Sequence, residues 1–355
     1  MKTKKGHLGI ALAALIAVMS FAGCNGSQGG SESSVANDVS SEKSNSTKTH
    51  VVALGEYDPQ ISGQQIIAKE KGYFEEEGLD VDLQLLTDPS VSTTMVASGE
   101  AQFYSISNYQ AINLVDKGSE VCLLAPVVNA GNTQVVVAGA NVDIKSAKDL
   151  EGKKMGYTDG AGVIVAVKNM CNDLGVDFDK IELVNLQASD MLASLQSGQI
   201  DLFAAWEPWG IKAEESGAKI LFTGTHSYLP ENEGNVDYLN FIVAIDASKS
   251  FVEENPEAAK AYVRAMIKAT DYINNNKKES SKIIAEKINL DEETCFKIME
   301  KNVYNVAYDE SFKTSGDELA KYMKESGLNT SLVTFDQYAN TEILKAVNPS
   351  LVTIK

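Results

Sequence analysis

The stretch VVALGEYDPQISGQQIIAKEKGYFEEEGLDVDLQLL, residues 51–86, decides the fold class. VVALG (51–55) is an apolar run of strand length. SGQQIIAKEKGYFEEEG (62–78) reads as a helix that leaves through glycine, and VDLQLL (81–86) as a second strand. Two strands joined by a helix pair in parallel, because only a long crossover returns the chain in the same direction. Outward from there the alternation continues. VSTTMVASG (91–99) and NYQAINLVDKG (108–118) read as helices, and QFYSI (102–106), VCLLAPV (121–127) and TQVVVAG (133–139) as strands. Such alternation predicts parallel pairing under covering helices.

After SAKDLEGK (146–153) the same order restarts. KKMGY (153–157), KIELVNL (180–186), DLFAAW (201–206), AKILFTG (218–224) and YLNFIVAID (238–246) read as strands. GVIVAVKNMCNDLG (162–175), SDMLASLQSG (189–198) and a short segment after Pro208 read as helices, and the chain beyond about residue 250 is helical in pattern. MVASGEAQFYS (95–105) and SLQSGQIDLFA (194–204) echo each other, each a helix, a Ser-Gly exit and a strand. The expectation is an α/β protein of two lobes, each a mixed sheet flanked by helices, with TQVVVAG crossing out and YLNFIVAI returning. The first lobe takes 50–139 and 240–355 with the C-terminal helices; the second takes 140–239. A ligand then belongs in the cleft between lobes, at strand C-termini and helix N-termini.

The N-terminus reads differently. Lys2, Lys4 and Lys5 precede an apolar run, Leu8 to Phe21. That run is too short to span a bilayer and has the form of an export signal, residues 1–23. Ala22-Gly23 before Cys24 resembles a bacterial lipobox, with Phe21 where leucine is usual. Residues 24–49 are rich in Ser, Gly and Asn and cannot bury enough apolar surface to order themselves, as suits a lipid-anchored tether. The chain is therefore expected on the extracytoplasmic face of the cell membrane, anchored at Cys24.

The net charge of −18 in 355 residues argues against nucleic acid as a partner. Cys122, Cys171 and Cys295 are widely spaced, without ligand patterns, and read as buried free thiols rather than a metal site. No cofactor is expected.

Together with the lipobox, IIAKEKGYFEEEGLDVDLQLL (66–86), LEGKKMGYTDGAG (150–162) and SLQSGQIDLFAAWEPW (194–209) resemble the substrate-binding lipoproteins of ABC importers. The resemblance is to the nitrate, sulfonate, taurine and thiamine-precursor group and covers residues 50 to about 275. It implies a type II binding-protein fold, acting as a monomer, that closes on a small solute and delivers it to a membrane permease. It also implies which turns face the cleft: Glu56-Tyr57-Asp58-Pro59-Gln60, Ser105-Ile106-Ser107-Asn108, Thr158-Asp159-Gly160-Ala161-Gly162 and Ala188-Ser189-Asp190. The candidate contacts are Tyr57, Gln60, Ser107, Asn108, Thr158, Asp159, Gly160, Ala161 and Asp190, with Trp206 and Glu207 on the far wall.

AAWEPWG (204–210) holds both tryptophans of the chain. Pro208 suits a helix start, which puts Trp206 and Glu207 at the strand end on the cleft rim and Trp209 inside the helix, in the core. The lone arginine, Arg264, lies away from every candidate turn, so the bidentate carboxylate clamp of amino-acid receptors is missing. Asp58, Asp159, Asp190 and Glu207 instead favour a solute with donors, an aminopyrimidine or the ammonium of taurine. A pyrimidine-precursor synthase on the same fold is the alternative. Against it stand the absence of a Cys/His cluster, a nucleophile elbow or a phosphate loop; no catalytic residue is assigned.

Overall fold

The computed structural model describes residues 48–86 and 91–354. The export signal, Cys24 and all but the end of the tether lie outside the described residues. The tether was expected to run to residue 49, but β1 (Thr49–Glu56) begins there, Thr49 pairing with Leu79.

The chain proceeds from β1 through α1 (Pro59–Glu70), α2 (Tyr73–Glu76), β2 (Leu79–Leu86), α3 (Ser92–Ala97), β3 (Phe103–Ser107) and α4 (Asn108–Asp116) to β4 (Val121–Asn129). The helix expected over 62–78 starts earlier and breaks at Gly72, whose φ of 75° only glycine adopts readily. Next come β5 (Gln134–Ala138), β6 (Lys154–Tyr157), α5 (Val163–Leu174), β7 (Glu182–Asn185), α6 (Ala188–Gln196), β8 (Leu202–Trp206), α7 (Trp209–Glu215), β9 (Lys219–Thr223), β10 (His226–Ser227) and β11 (Gly234–Asn235). The chain returns through β12 (Ile242–Ser248), α8 (Lys249–Glu254), α9 (Pro256–Asn275), α10 (Lys277–Ile288), α11 (Glu292–Lys301), β13 (Val303–Tyr304), α12 (Glu310–Glu325), α13 (Phe335–Tyr338) and α14 (Thr341–Val347).

Two sheets result, ordered β13-β4-β12-β3-β1-β2 and β11-β10-β9-β5-β8-β6-β7 among the described residues. In the first, β1 runs parallel to β2 and β3 while β12 lies antiparallel between β3 and β4. In the second, β6 runs parallel to β7 and β8 while β5 lies antiparallel between β8 and β9. The sheets therefore share one plan, β2-β1-β3-β12-β4 matching β7-β6-β8-β5-β9. The sequence echo sits at equivalent steps of it, α3 into β3 and α6 into β8.

The expected crossing strands need correction. β5 belongs wholly to the second sheet, although 133–139 was assigned to the first lobe, and β12 belongs wholly to the first. The chain crosses in the short segments 130–133 and 236–241. There the backbone is bonded tightly: Ala130 N donates to Phe241 O at 2.8 Å, and Gly224 N to Gly131 O at 3.0 Å. A Cβ on Gly131 or Gly224 would stand 2.4 or 2.5 Å from the Leu239 carbonyl, so only glycine admits this approach.

The first core lies between its sheet and helices α1, α9 and α14 on one side and α4 on the other. β4 is apolar along its length because both faces are covered. α1 departs from the usual amphipathic pattern, for Gln60, Ser62, Gln64 and Gln65 are all buried. Their side chains bond backbone instead, Gln64 Nε2 to Val127 O and Gln65 Nε2 to Leu54 O, which clamps α1 to the sheet. Cys122, Cys171 and Cys295 are buried free thiols. No helix among the described residues is long and apolar enough to cross a membrane.

Candidate functional site

Turns from both sheets converge on a cavity of about 390 Å³. On the first-lobe side it is lined by Glu56, Asp58, Gln60, Ile61, Ser107, Tyr109 and Gln110. On the other side are Gln134, Thr158, Asp159, Gly160, Ala161, Gly162 and Trp206, with Phe241 from the crossover. A larger cavity, about 480 Å³, is lined by Ile211, Glu214, Phe296 and Lys301 among others, and lacks the strand-end turns of the first sheet.

Strand alternation explains the first wall. Along the end of β1 successive side chains point to opposite sides, so Glu56 and Asp58 face the cavity while Tyr57 points out, 51 % exposed. Asp58 caps α1, its Oδ1 accepting from Gln60 N at 2.7 Å and Ile61 N at 3.2 Å. Glu56 Oε1 accepts from the Tyr104 hydroxyl at 2.7 Å. Ser107 caps α4 in a reciprocal box with Gln110. The N-termini of α1 and α4 are thus satisfied by their own side chains, whereas α5 has no side-chain cap.

The opposite wall follows from the second sheet. Gln134 pairs in register with Trp206, which brings both to one face. Thr158 donates to Leu186 O at 2.9 Å, and Asn185 Oδ1 accepts from Asp159 N at 3.1 Å, fixing the 158–162 turn. Gly162 packs against the first lobe: a Cβ there would stand 3.1 Å from Phe241 and 3.6 Å from Tyr109. Tyr109, Phe241 and Trp206 supply flat apolar surface.

Of the candidate contacts, Gln60, Ser107, Thr158, Asp159, Gly160, Ala161 and Trp206 come together around this cavity; Tyr57, Asn108, Asp190 and Glu207 do not line it. Asn108 is the first residue of α4 and is fully buried, its Oδ1 accepting from Tyr109 N. Asp190 is exposed at the start of α6, after the edge strand β7. Glu207 turns away from the cavity, buried against Lys301 with Ile211 N donating to its Oε2 at 2.8 Å. Pro208 is the cap before α7 rather than its first residue, and Trp209 is half-buried against the second core. Residue-level reading passed over Tyr109, Gln110, Gln134 and Phe241. Assigning β5 to the second sheet would have exposed Gln134 through its pairing with Trp206.

Among the described lining residues there is no lysine, arginine, histidine or cysteine. Burial raises the Glu56 carboxyl above its usual range, against the Tyr104 bond. Loss of hydration, then the Glu56 charge, pushes Asp58 up to about 7 despite its two backbone bonds. Arg264 is spent on Glu77, 2.5 Å away. Among the described residues no group of His, Cys, Asp and Glu is arranged to hold a metal ion. The site can hold a flat, donor-bearing molecule between aromatic faces and acceptors.

A two-lobed α/β body with a cleft at facing strand ends is the periplasmic-binding-protein fold. The aliphatic sulphonate binding protein of Escherichia coli superposes with a TM-score of 0.69 at 16% identity, covering 81% of this chain and 96% of that one. The chain belongs to the NMT1/THI5-like family, whose model matches residues 60–280. A formylaminopyrimidine-binding protein of Halalkalibacterium halodurans is 27% identical over 61% of this chain and 64% of its own. A 4-amino-5-hydroxymethyl-2-methylpyrimidine phosphate synthase of Saccharomyces cerevisiae is 22% identical over 58% and 62%.

Proposed function

We propose that this chain is the solute-binding component of an ABC importer, held outside the membrane by lipid at Cys24, and that its solute is a flat nitrogen base of the aminopyrimidine class. The two lobes close on the solute, Trp206 and Tyr109 offer faces for its ring, and the closed form docks on a permease. One observation carries the choice of solute: Glu56, Asp58 and Asp159 line the cavity with no cationic side chain among the lining residues. A sulfonate or nitrate would face like charge there, whereas a ring bearing N–H donors meets acceptors. The family relative named for formylaminopyrimidine supports the same class.

Tryptophan fluorescence and thermal melts, with aminopyrimidines set against taurine, alkanesulfonates and nitrate, test this. Binding of an aminopyrimidine alone, without turnover, is the expected result. Selective binding of sulfonate or nitrate overturns the solute class, and turnover of a bound compound overturns the receptor.

A further inference from the structure

We propose that Gln60 is a specificity-determining residue. Its side-chain oxygen takes a hydrogen bond from an amino group on the solute, and a solute lacking that donor is rejected because closure leaves the oxygen buried and unpaired. The inference rests on the aminopyrimidine reading above and adds which residue enforces it and through which atom.

Gln60 is the second residue of α1, and the helix cap holds its backbone, Gln60 N donating to Asp58 Oδ1 at 2.7 Å. The side chain lines the cavity and is 2 % exposed. Its Nε2 donates at 3.3 Å to the Glu207 backbone carbonyl on the second lobe. A carbonyl can only accept, so this bond decides which end of the amide is nitrogen and leaves Oε1 as the other end. Oε1 is buried and has no hydrogen-bond partner. Among the described residues other buried side-chain atoms also lack partners, including Oε1 of Gln64 and Gln65 on the same helix. Of the residues that carry such atoms, only Gln60 lines the cavity.

A buried acceptor left without a donor costs more than a made hydrogen bond gains, because its lost hydration is not recovered. The group that orients the amide belongs to the other lobe, so under the proposed closure the oxygen is fixed as the lobes meet around the solute. The solute arrives before the wall is sealed, and its donor reaches an oxygen that water cannot reach afterwards. Discrimination of this kind acts against the wrong solute more than for the right one. It also differs from what the carboxylates do. Glu56 and Asp58 draw positive charge from any direction, whereas the neutral amide oxygen asks for a donor at one point of the wall. An amino N–H meets that demand, and a ring C–H in its place does not.

Calorimetric titration of 4-amino-5-hydroxymethyl-2-methylpyrimidine and of 5-hydroxymethyl-2-methylpyrimidine compares two solutes that differ only in the amino group. Each is titrated into wild type and into Gln60→Met, whose side chain is of similar length and has no amide. Loss of the bond to Glu207 weakens both solutes alike and cancels in the ratio of their dissociation constants. Wild type is expected to prefer the amino solute, and the preference is expected to fall roughly tenfold in Gln60→Met. A side chain that only shapes the wall would weaken both solutes and leave the ratio unchanged; that result overturns the inference and leaves the solute class standing. Equal binding of the two solutes by wild type also overturns it. No binding of the amino solute by wild type overturns the solute class and this inference together. The carbon-13 shift of the Gln60 side-chain carbonyl in wild type needs no folded variant. It is expected to move further with the amino solute than with its analogue, and an equal movement with both overturns the inference.

Discussion

Glu207, just past the end of β8, is ion-paired with Lys301, the last residue of α11, so the second lobe is tied to the helices that pack on the first. The carboxylate is fully buried, while the lysine is one-quarter exposed. Gly210 makes room, since a Cβ there would stand 3.0 Å from the carboxylate. The backbone carbonyl of the same residue accepts from Gln60, so two bonds to Glu207 cross between the lobes.

Under the proposed closure of the lobes, Lys301→Met leaves a buried carboxylate without its cation, and opening lets water hydrate it. Solute affinity should fall by about 1–3 kcal/mol, less than for a fully buried pair because the lysine is partly solvated. Adding Glu207→Gln should restore at least half of that loss. A binding isotherm for each single and the double variant checks the coupling.

Trp206→Ala removes the ring beside Gln134 on the second-lobe wall. Binding should weaken by about 2 kcal/mol, on the order of thirtyfold. Because Trp206 also packs against the second core, the melting temperature of the unliganded protein should fall as well, so affinities are compared at a temperature where both proteins are folded. Unchanged affinity would remove Trp206 from the site.

Asp246 on β12 is fully buried, and neither carboxyl oxygen has a hydrogen-bond partner of good geometry. Burial holds its pKa well above the usual aspartate range, opposed only by the Ala247 N–H. The folded state therefore binds this proton more tightly than the unfolded chain does. Stability is full below the unfolded value of about 4 and declines as pH rises from there toward the folded pKa. Asp246→Asn should stabilise the protein by about 1–2 kcal/mol at pH 8 and by little at pH 4. Denaturant melts at the two pH values read the difference.

Gly316 lies within α12, where alanine normally stabilises a helix by up to about 1 kcal/mol. Here an added Cβ would stand 2.0 Å from the hydroxyl of Tyr338, whose side chain is fully buried. Gly316→Ala should instead cost about 1–3 kcal/mol, and Tyr338→Phe in the same chain should recover much of it. Thermal melts of the single and double variants decide this.

The two-lobed plan was legible because its signals are local. Glycine exits at 99 and 198 recur before matching strands, and apolar runs such as VCLLAPV mark strands covered on both faces. What escaped was long-range. Strand 134–138 carries no mark of which sheet it joins, so the lobe boundary fell several residues late and Gln134 was missed. The site turns were placed by resemblance, but the direction of single side chains within them depends on register. Alternation at the end of β1 could have separated Glu56 and Asp58 from Tyr57. The departure of Glu207 from the cleft could not have been read, because Lys301 lies far away in sequence.

Burial raises the thiols of Cys122, Cys171 and Cys295 each to about 12. Near neutral pH none of them presents a thiolate, which is the species that reacts with maleimides and disulfide reagents. With Cys24 replaced, a cysteine introduced on the surface of each lobe would be labelled against a silent background of native thiols. The protein is therefore suited to carrying a pair of spectroscopic reporters, and the distance between its lobes can be followed as solute arrives without changing any residue of its core.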